Sequence, residues 1–168
     1  MKLFLFFALI SVNVFAKVTI GEAAPLFELK DQEGKLFKLA EQKGKKWTVL
    51  FFYPRAGTPG CTKQVCAFRD SIETIRSKNA DVFGVSADSQ EAQKKFHSEH
   101  KLRFKLLADP LMDAIQKYGV KMEGANMAKR WTFIVDPSLT IRAIDEKVDP
   151  VADPGNVAKQ LVELQKSL

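Results

Sequence analysis

Both cysteines of this 168-residue chain lie in one short segment that passes from a predicted strand into a predicted helix. The apolar run over residues 48–53 is typical of a strand buried on both faces, and Pro54 ends it. A turn rich in Gly, Thr and Pro follows, and an apolar helical pattern begins at Cys61. Unpaired N–H groups and the positive end of the helix dipole stabilise an anion at such a position. The segment therefore favours a reactive thiolate at Cys61.

The amino terminus predicts a secretory signal peptide. A positive start precedes an almost wholly apolar run over residues 3–14, and we place cleavage between Ala16 and Lys17. The run is too short to span a bilayer, so a membrane anchor is the weaker interpretation, and a buried N-terminal strand is weaker still. The sequence thus predicts a signal peptide over 1–16 and one domain over 17–168, exported to the periplasm without a stable membrane anchor.

The composition is that of an ordinary globular protein, with 46% hydrophobic and 27% charged residues. Removal of the signal peptide takes away one charged residue, Lys2, and lowers the net charge from +6 to +5. Lys and Arg are scattered without a run longer than two, so no nucleic-acid partner is expected. Two cysteines in an exported protein normally suggest a structural disulfide, and this interpretation must be weighed against catalysis.

Hydrophobic periodicity predicts alternating strands and helices along the chain. The predicted elements are a β-hairpin over 27–39, a strand over 48–53, a helix from Cys61, a strand over 81–86, a helix capped by Asp88 with Glu91, a strand over 104–108, a helix beginning at Asp109-Pro110 with Leu111, Ile115 and Tyr118 on one face, a hairpin over 131–143 and a helix beginning at Asp153-Pro154. This order predicts an α/β, thioredoxin-like fold, with a central mixed sheet flanked by helices and an N-terminal β-hairpin extension.

The predicted helix directs its two cysteines to different sides. Its apolar stripe consists of Val65, Phe68, Ile72 and Ile75. Cys61 falls on this stripe and Cys66 does not. Five residues along a helix rise about 7.5 Å and rotate by about 140°. An intact helix therefore holds the two Cα atoms farther apart than the roughly 7 Å that a disulfide tolerates. The pair suits a switch between two folded forms better than a static disulfide, unless this segment is never helical in the native state.

Other uses of a cysteine pair fit the sequence less well. Zinc needs about four ligands, and His97 and His100 would complete that number. We expect both histidines to be solvated, because they lie on a charged helix with little amphipathic pattern. A thioredoxin-type redox site has two residues between its cysteines, whereas four separate Cys61 from Cys66. Peroxide reduction remains, in which a thiolate attacks a peroxide oxygen and becomes a sulfenic acid.

The turn supplies groups that such a reaction needs. Thr58 can place a hydroxyl beside Cys61, and the N–H groups of Gly60 and Cys61 can donate to the peroxide oxygens. Pro54 and Pro59 make the turn rigid and shield the thiolate. Taken alone, Thr58 fits an ordinary helix cap equally well.

A cation would complete the pocket, and Arg130 is the best candidate because it stands at the start of a predicted strand. Arg55 and Arg69 are nearer in sequence, but we expect them on the surface or in structural ion pairs. Cys66 would then attack the sulfenic acid and form a disulfide that unwinds the helix.

At these residues the sequence resembles the peroxiredoxins. Pro54, Thr58 and Cys61 match the signature Pro-x-x-x-Thr-x-x-Cys of that family. The fuller stretch over 52–70 is similar to the bacterioferritin comigratory protein branch, also called the Q type. The resemblance extends over nearly all of the mature chain, including the segments 21–27 and 130–136.

The resemblance implies that Cys61 is the peroxidatic cysteine, Cys66 the resolving one, and Pro54, Thr58 and Arg130 the supporting residues. It implies thiol-dependent reduction of hydrogen peroxide and organic hydroperoxides, with a thioredoxin-like reductant protein and without metal, haem or other cofactor. A monomer or weak homodimer is expected. Members of this branch are mostly cytoplasmic, so the predicted export sets this chain apart.

Two other hypotheses remain open at this point. An exported thiol–disulfide oxidoreductase acting on protein partners would present an exposed cysteine pair and show little peroxide turnover. A non-enzymatic exported domain would carry an inert disulfide, with Thr58 as a cap and Arg130 in a surface ion pair.

Overall fold

Seven strands and four α-helices lie within residues 18–167, the part of the chain that the computed structural model describes. The predicted signal peptide over 1–16 and its cleavage site lie outside the described residues. The strands are β1 (Glu28–Asp31), β2 (Leu36–Lys38), β3 (Trp47–Phe52), β4 (Ala80–Ser86), β5 (Lys105–Ala108), β6 (Trp131–Val135) and β7 (Ile141–Asp145). The helices are α1 (Pro59–Arg76), α2 (Gln90–Glu99), α3 (Asp113–Lys117) and α4 (Asp153–Lys166), and a short 3-10 helix spans Leu39–Gln42.

The strands form one mixed sheet in the order β2-β1-β5-β4-β3-β6-β7. The central strand β3 runs parallel to β4 and antiparallel to β6, while β1 and β2 form the N-terminal hairpin. The predicted α/β fold, a mixed sheet with an N-terminal hairpin extension, is therefore confirmed. The last hairpin differs in detail, because β7 begins at Ile141 and a register shift at Ile134/Val135 offsets it from β6.

Side chains of β3 alternate between two apolar cores, one on each face of the sheet. Leu50 and Phe52 pack on the face that α3 covers, and Val49 and Phe51 pack on the face that α1, α2 and α4 cover. All six residues of β3 are buried, as the uninterrupted apolar run predicted. The strand therefore fixes the position of the turn that follows it.

The apolar stripe predicted for α1 is its buried face. Cys61, Val65 and Phe68 are fully buried, whereas Cys66 is only partly buried. The Phe68 ring stacks on the Phe51 ring, with centroids 4.6 Å apart and planes 15° from parallel. Within residues 18–167, no helix has both the length and the apolar character needed to cross a membrane.

The prediction that Asp88 caps α2 is wrong by one residue. Ser89 is the N-cap, and its hydroxyl oxygen accepts from Ala92 N at 3.3 Å. The Asp88 carboxylate instead accepts from the Ser86 hydroxyl at 2.6 Å and from Ala56 N at 2.8 Å. Asp88 thus holds the turn that leads to α1, which is a tertiary role that a local capping pattern does not reveal.

The prediction of a helix beginning at Asp109 is also wrong. The α3 helix begins at Asp113, after Met112 adopts a left-handed conformation with φ of 61°. The Asp109 carboxylate reaches forward to accept from Asp113 N at 2.8 Å and from Ile115 N at 2.9 Å. Leu111 is consequently outside the helix and 88% exposed, rather than on its buried face.

Candidate active site

Cys61 lies in the first turn of α1, with its side chain fully buried against the sheet. The first N–H groups of a helix have no partner within the helix. Among the described residues, the N–H groups of Gly60 and Cys61 accordingly have no hydrogen-bond acceptor, and Thr62 N is the first to be bonded, to Thr58 O at 2.9 Å. Two unpaired donors and the helix dipole therefore surround the thiol at this end of the helix.

Arg130 is brought to the thiol from the other side of the turn. It immediately precedes β6, whose first residue, Trp131, is paired with Phe52 at the end of β3. The Arg130 Nη2 atom donates to Cys61 Sγ at 3.3 Å. A Cβ atom at Gly60 would lie 3.2 Å from Nη2, so a glycine at this position leaves room for the guanidinium. The structure thus places the predicted cation beside Cys61, and its catalytic role stays a prediction.

Two further buried side chains, which the sequence did not single out as site residues, hold Arg130. The Nη1 atom donates to Gln64 Oε1 at 2.5 Å, and Gln64 Nε2 donates to Asp153 Oδ2 at 2.7 Å. Thr132 also donates its hydroxyl hydrogen to Asp153 Oδ2, at 2.9 Å. These bonds form a continuous chain from Cys61 to the start of α4.

Asp153 is a buried carboxyl group within this chain of bonds. Its side chain is 1% exposed, and within residues 18–167 its Oδ1 atom has no hydrogen-bond partner. Burial raises the pKa of this carboxyl to about 6, against the hydrogen bonds from Gln64 and Thr132, which lower it. The positive charge of Arg130 lowers the pKa further, whereas the negative charge of Asp145 raises it.

The turn before α1 holds Thr58 and Pro54. Thr58 occupies the N-cap position with an extended backbone, yet its hydroxyl caps no N–H group of the helix. The hydroxyl donates instead to Arg55 O at 3.0 Å, which closes the turn on itself. Pro54 lies two residues after the end of β3 and is half-buried, and Arg55 is exposed, as expected. The structure gives no hydrogen bond between Thr58 and Cys61, and the catalytic role predicted for Thr58 stays a prediction.

A buried polar network lies beneath the same turn. The Tyr53 hydroxyl donates to Gln93, whose Nε2 atom donates to Ser86 Oγ at 2.8 Å. Ser86 in turn donates to Asp88, the residue that holds Ala56 N. Burial raises the pKa of Tyr53, so its hydroxyl stays protonated and keeps its role as a donor. The network connects α2 and β4 to the active-site turn.

Cys66 lies on the other side of α1, and both cysteines are free thiols. Its Sγ atom is 3.8 Å from His100 Nδ1. His97 and His100 are both half-buried, so the expectation that they are solvated holds only in part. The His97 ring bonds Phe104 O at 3.1 Å, and burial lowers the pKa of that imidazole.

Metal binding receives no support from the described residues, among which no group of three or more His, Cys, Asp or Glu side chains is arranged to hold an ion. Arg69 forms the structural ion pair expected of it, with Asp70 at 2.8 Å. Of the residues that sequence reasoning missed, Gln64 follows Cys61 by three positions, so its contact with the site agrees with helical spacing. Asp153 and His100 carried no such local signal.

Comparison with known proteins finds similarity over most of the chain. Residues 20–144 match the AhpC/TSA family. The chain is 42% identical over 133 residues to chloroplastic peroxiredoxin Q of Sedum lineare, covering 79% of this chain and 71% of that protein. It is 44% identical over 133 residues to chloroplastic peroxiredoxin Q of Arabidopsis thaliana, covering 78% of this chain but only 61% of that protein.

A solved structure is similar over almost its whole length. Peroxidoxin BcpB of Mycobacterium tuberculosis superposes with a TM-score of 0.80 at 31% sequence identity, covering 86% of this chain and 96% of that one. The chain therefore belongs to the AhpC/TSA family, as a peroxiredoxin of the Q type, a class of thiol peroxidase.

Proposed function

We propose that this protein reduces hydrogen peroxide and organic hydroperoxides through a sulfenic acid on Cys61 and an intrachain disulfide with Cys66. The observation that carries the proposal is the buried Cys61 sulfur at the start of α1, 3.3 Å from the Arg130 guanidinium. Charge-assisted donors around a thiolate stabilise both the nucleophile and the oxygen that departs.

In the proposed first step, the Cys61 thiolate attacks the terminal peroxide oxygen. A sulfur–oxygen bond forms, the oxygen–oxygen bond breaks, and the departing oxygen takes up a proton to become water or an alcohol. Arg130 and the free N–H groups of Gly60 and Cys61 are placed to stabilise the negative charge. Thr58 and Pro54 act as positioning residues that keep the turn in shape, Thr58 through its bond to Arg55 O.

In the proposed second step, Cys66 attacks the sulfenic acid. Both cysteines belong to α1, so the early turns of the helix must unwind before their sulfurs can bond. A thioredoxin-like protein then reduces the disulfide and restores the helix. The protein needs no metal or cofactor for this cycle.

We further propose that the mature protein works outside the cytoplasm, as a monomer or weak homodimer over residues 17–168. The signal-peptide pattern over 1–16 supports export. The amino-terminal sequence of protein recovered from the periplasm tests this, with Lys17 expected as the first residue. Recovery of the uncleaved chain from the cytoplasm would contradict it.

Peroxide consumption by two single-cysteine variants tests the cycle. Cys61→Ser should abolish consumption, because it removes the attacking sulfur. Cys66→Ser should consume about one equivalent of peroxide per protein and then stop with Cys61 trapped as a sulfenic acid. Unchanged consumption by Cys61→Ser, or continued turnover of Cys66→Ser without an added small thiol, would refute the respective role.

The alternative of an oxidoreductase acting on protein partners finds less support in the geometry. That function favours a sulfur that a partner disulfide can approach, whereas Cys61 is fully buried. A peroxide is small enough to approach a thiol that a folded partner chain does not reach. Faster turnover of a protein disulfide than of any peroxide would favour the alternative.

A further inference from the structure

Cys66 contacts an ionisable side chain that the peroxidase site does not use. His100 follows the last residue of α2, and its Nδ1 atom lies 3.8 Å from Cys66 Sγ. This separation is compatible with a weak hydrogen bond from the thiol to an unprotonated ring nitrogen. The two residues are 34 positions apart in sequence, and the contact forms where the end of α2 meets the partly buried side of α1.

Three contacts, two of the backbone and one of the ring, hold His100 beside the Cys66 thiol. Its backbone N–H donates to Phe96 O at 3.3 Å, and its backbone carbonyl accepts from Arg69 Nη1 at 3.0 Å. The imidazole meets the buried Phe96 ring edge to face, with centroids 5.0 Å apart and planes at 82°. Residues of both α1 and α2 therefore fix the position of the His100 ring.

Several charged side chains lie around the pair. Arg69 lies one helical turn after Cys66, and its positive charge interacts with that sulfur. Asp70 pairs with Arg69 at 2.8 Å, and Arg103 adds a second positive charge by donating to Arg69 O at 3.2 Å. Glu73 pairs with Arg103 at 3.1 Å, so two cations and two carboxylates lie around the Cys66–His100 pair.

We propose that His100 is the catalytic base for the resolving cysteine, an inference that rests on the peroxidase cycle proposed above. In the folded protein, Nδ1 of the neutral imidazole takes the proton of the Cys66 thiol. When α1 unwinds, the resulting thiolate attacks the sulfur of the Cys61 sulfenic acid. The sulfur–sulfur bond forms as the sulfur–oxygen bond breaks, so Cys66 is oxidised and the sulfenic sulfur is reduced. The departing hydroxide recovers, by way of solvent, the proton that His100 took, and the product is water.

A purely structural role for His100 makes the opposite prediction. The contact also joins α1 to α2, and a contact that only held the helix in place would slow its unwinding. Its removal would then speed disulfide formation, or leave it unchanged if unwinding is not limiting. A catalytic base, by contrast, supplies the nucleophile, and its removal slows the same step.

The first test measures alkylation of Cys66 in a Cys61→Ser background, where no peroxide chemistry takes place. His100→Gln should lower the alkylation rate by about tenfold, because glutamine does not take the thiol proton. The matched control is His97→Gln, which alters a histidine within α2 whose ring bonds Phe104 O and not Cys66. Equal alkylation rates in the parent and His100→Gln would overturn the proposal.

The second test follows one peroxide equivalent through the cycle, with Cys61 otherwise intact. His100→Gln should form the sulfenic acid at the parental rate and the disulfide about tenfold more slowly. His100→Ala should behave likewise and recover part of the rate when imidazole is added. Disulfide formation that is unchanged or faster in both variants would overturn the proposal. Absence of a sulfenic acid in the parent would instead refute the peroxidase cycle, and the alkylation rates would still decide the role of His100.

Discussion

A single guanidinium connects the reactive sulfur to the interior of the protein. Arg130 donates one hydrogen bond to Cys61 and another to Gln64, which is fixed by the buried Asp153 carboxylate. The carboxylate determines which end of the Gln64 amide faces Arg130, because only the NH₂ group can donate to it. The orientation of the guanidinium is thus set by a residue that never touches the sulfur.

Replacement of Arg130 should affect the first chemical step. We expect Arg130→Gln to lower the rate of sulfenic acid formation on the order of 100-fold, because a charged donor to the reacting sulfur is lost. Rapid mixing of the Cys66→Ser background with peroxide measures this step alone. Arg55→Gln is the control, since Arg55 lies in the same turn with an exposed side chain. Equal losses in the two variants would indicate damage to the turn and not loss of the donor.

The packing of α1 against the core differs between its early and its later turns. Its early turns carry Cys61 and Val65, whereas the turns that follow are anchored by the stacked Phe68 ring and by Ile72 and Ile75 in the core. The cysteines therefore occupy the part of the helix with less aromatic anchoring. Unwinding up to Phe68 would bring the two sulfurs together without displacing the rest of α1.

Hydrogen exchange should detect this division. Amides of residues 65–70 bond carbonyls of 61–66 in the folded helix, so they should lose protection when the disulfide forms. Amides over 72–76 should keep theirs. Cys66→Ser treated with peroxide is the control and should keep the protection of the reduced protein. Full protection over 65–70 in the disulfide form would contradict the unwinding step.

The dipeptide Asp-Pro occurs at two predicted helix starts, and it predicts the first residue of the helix correctly at only one of them. Asp153-Pro154 begins α4 as predicted, but Asp109-Pro110 precedes a turn, and α3 begins only at Asp113. The difference comes from the Asp109 carboxylate, which bonds N–H groups of residues beyond the turn. Periodicity predicted α1 and its buried face well, because that pattern extends over many residues.

At the scale of the whole molecule, the site depends on contacts between distant segments. The order of strands and helices, the two cysteines and Arg130 could be predicted from the sequence, since each has a local pattern or a family signature. The bonds of Asp153 to Gln64 and of His100 to Cys66 join residues 89 and 34 positions apart. Such pairs depend on how α4 packs on α1 and on where the end of α2 meets α1, which no local pattern specifies.

The buried Asp153 carboxyl should also give the fold a measurable pH dependence. Its pKa, raised by burial to about 6, lies above that of an unfolded Asp, so the folded state binds this proton more tightly. The free energy of unfolding should therefore fall as the pH rises from about 4 to about 6, with a contribution on the order of 3 kcal/mol.

Urea unfolding of wild type and Asp153→Asn at pH 4 and pH 7 measures this contribution. The decrease in unfolding free energy between the two pH values should be smaller in the variant. Thr132→Val removes a hydrogen bond that lowers the Asp153 pKa, so it should move the wild-type transition to higher pH. Identical pH dependence in wild type and Asp153→Asn would contradict a raised pKa.

The edges of the sheet have a consequence for self-association. In the proposed cycle, each turnover exposes apolar side chains such as Val65. Exposed apolar side chains next to an unpaired strand edge promote aggregation. One edge strand, β2, has only three residues, with Lys38 paired to Glu28 on its neighbour. At the other edge, Ile141 N donates to Glu22 O at 2.9 Å, so the amino-terminal segment occupies the start of β7. The short β2 strand and the covered start of β7 therefore limit the strand edge that is open to another copy of the molecule while α1 unwinds.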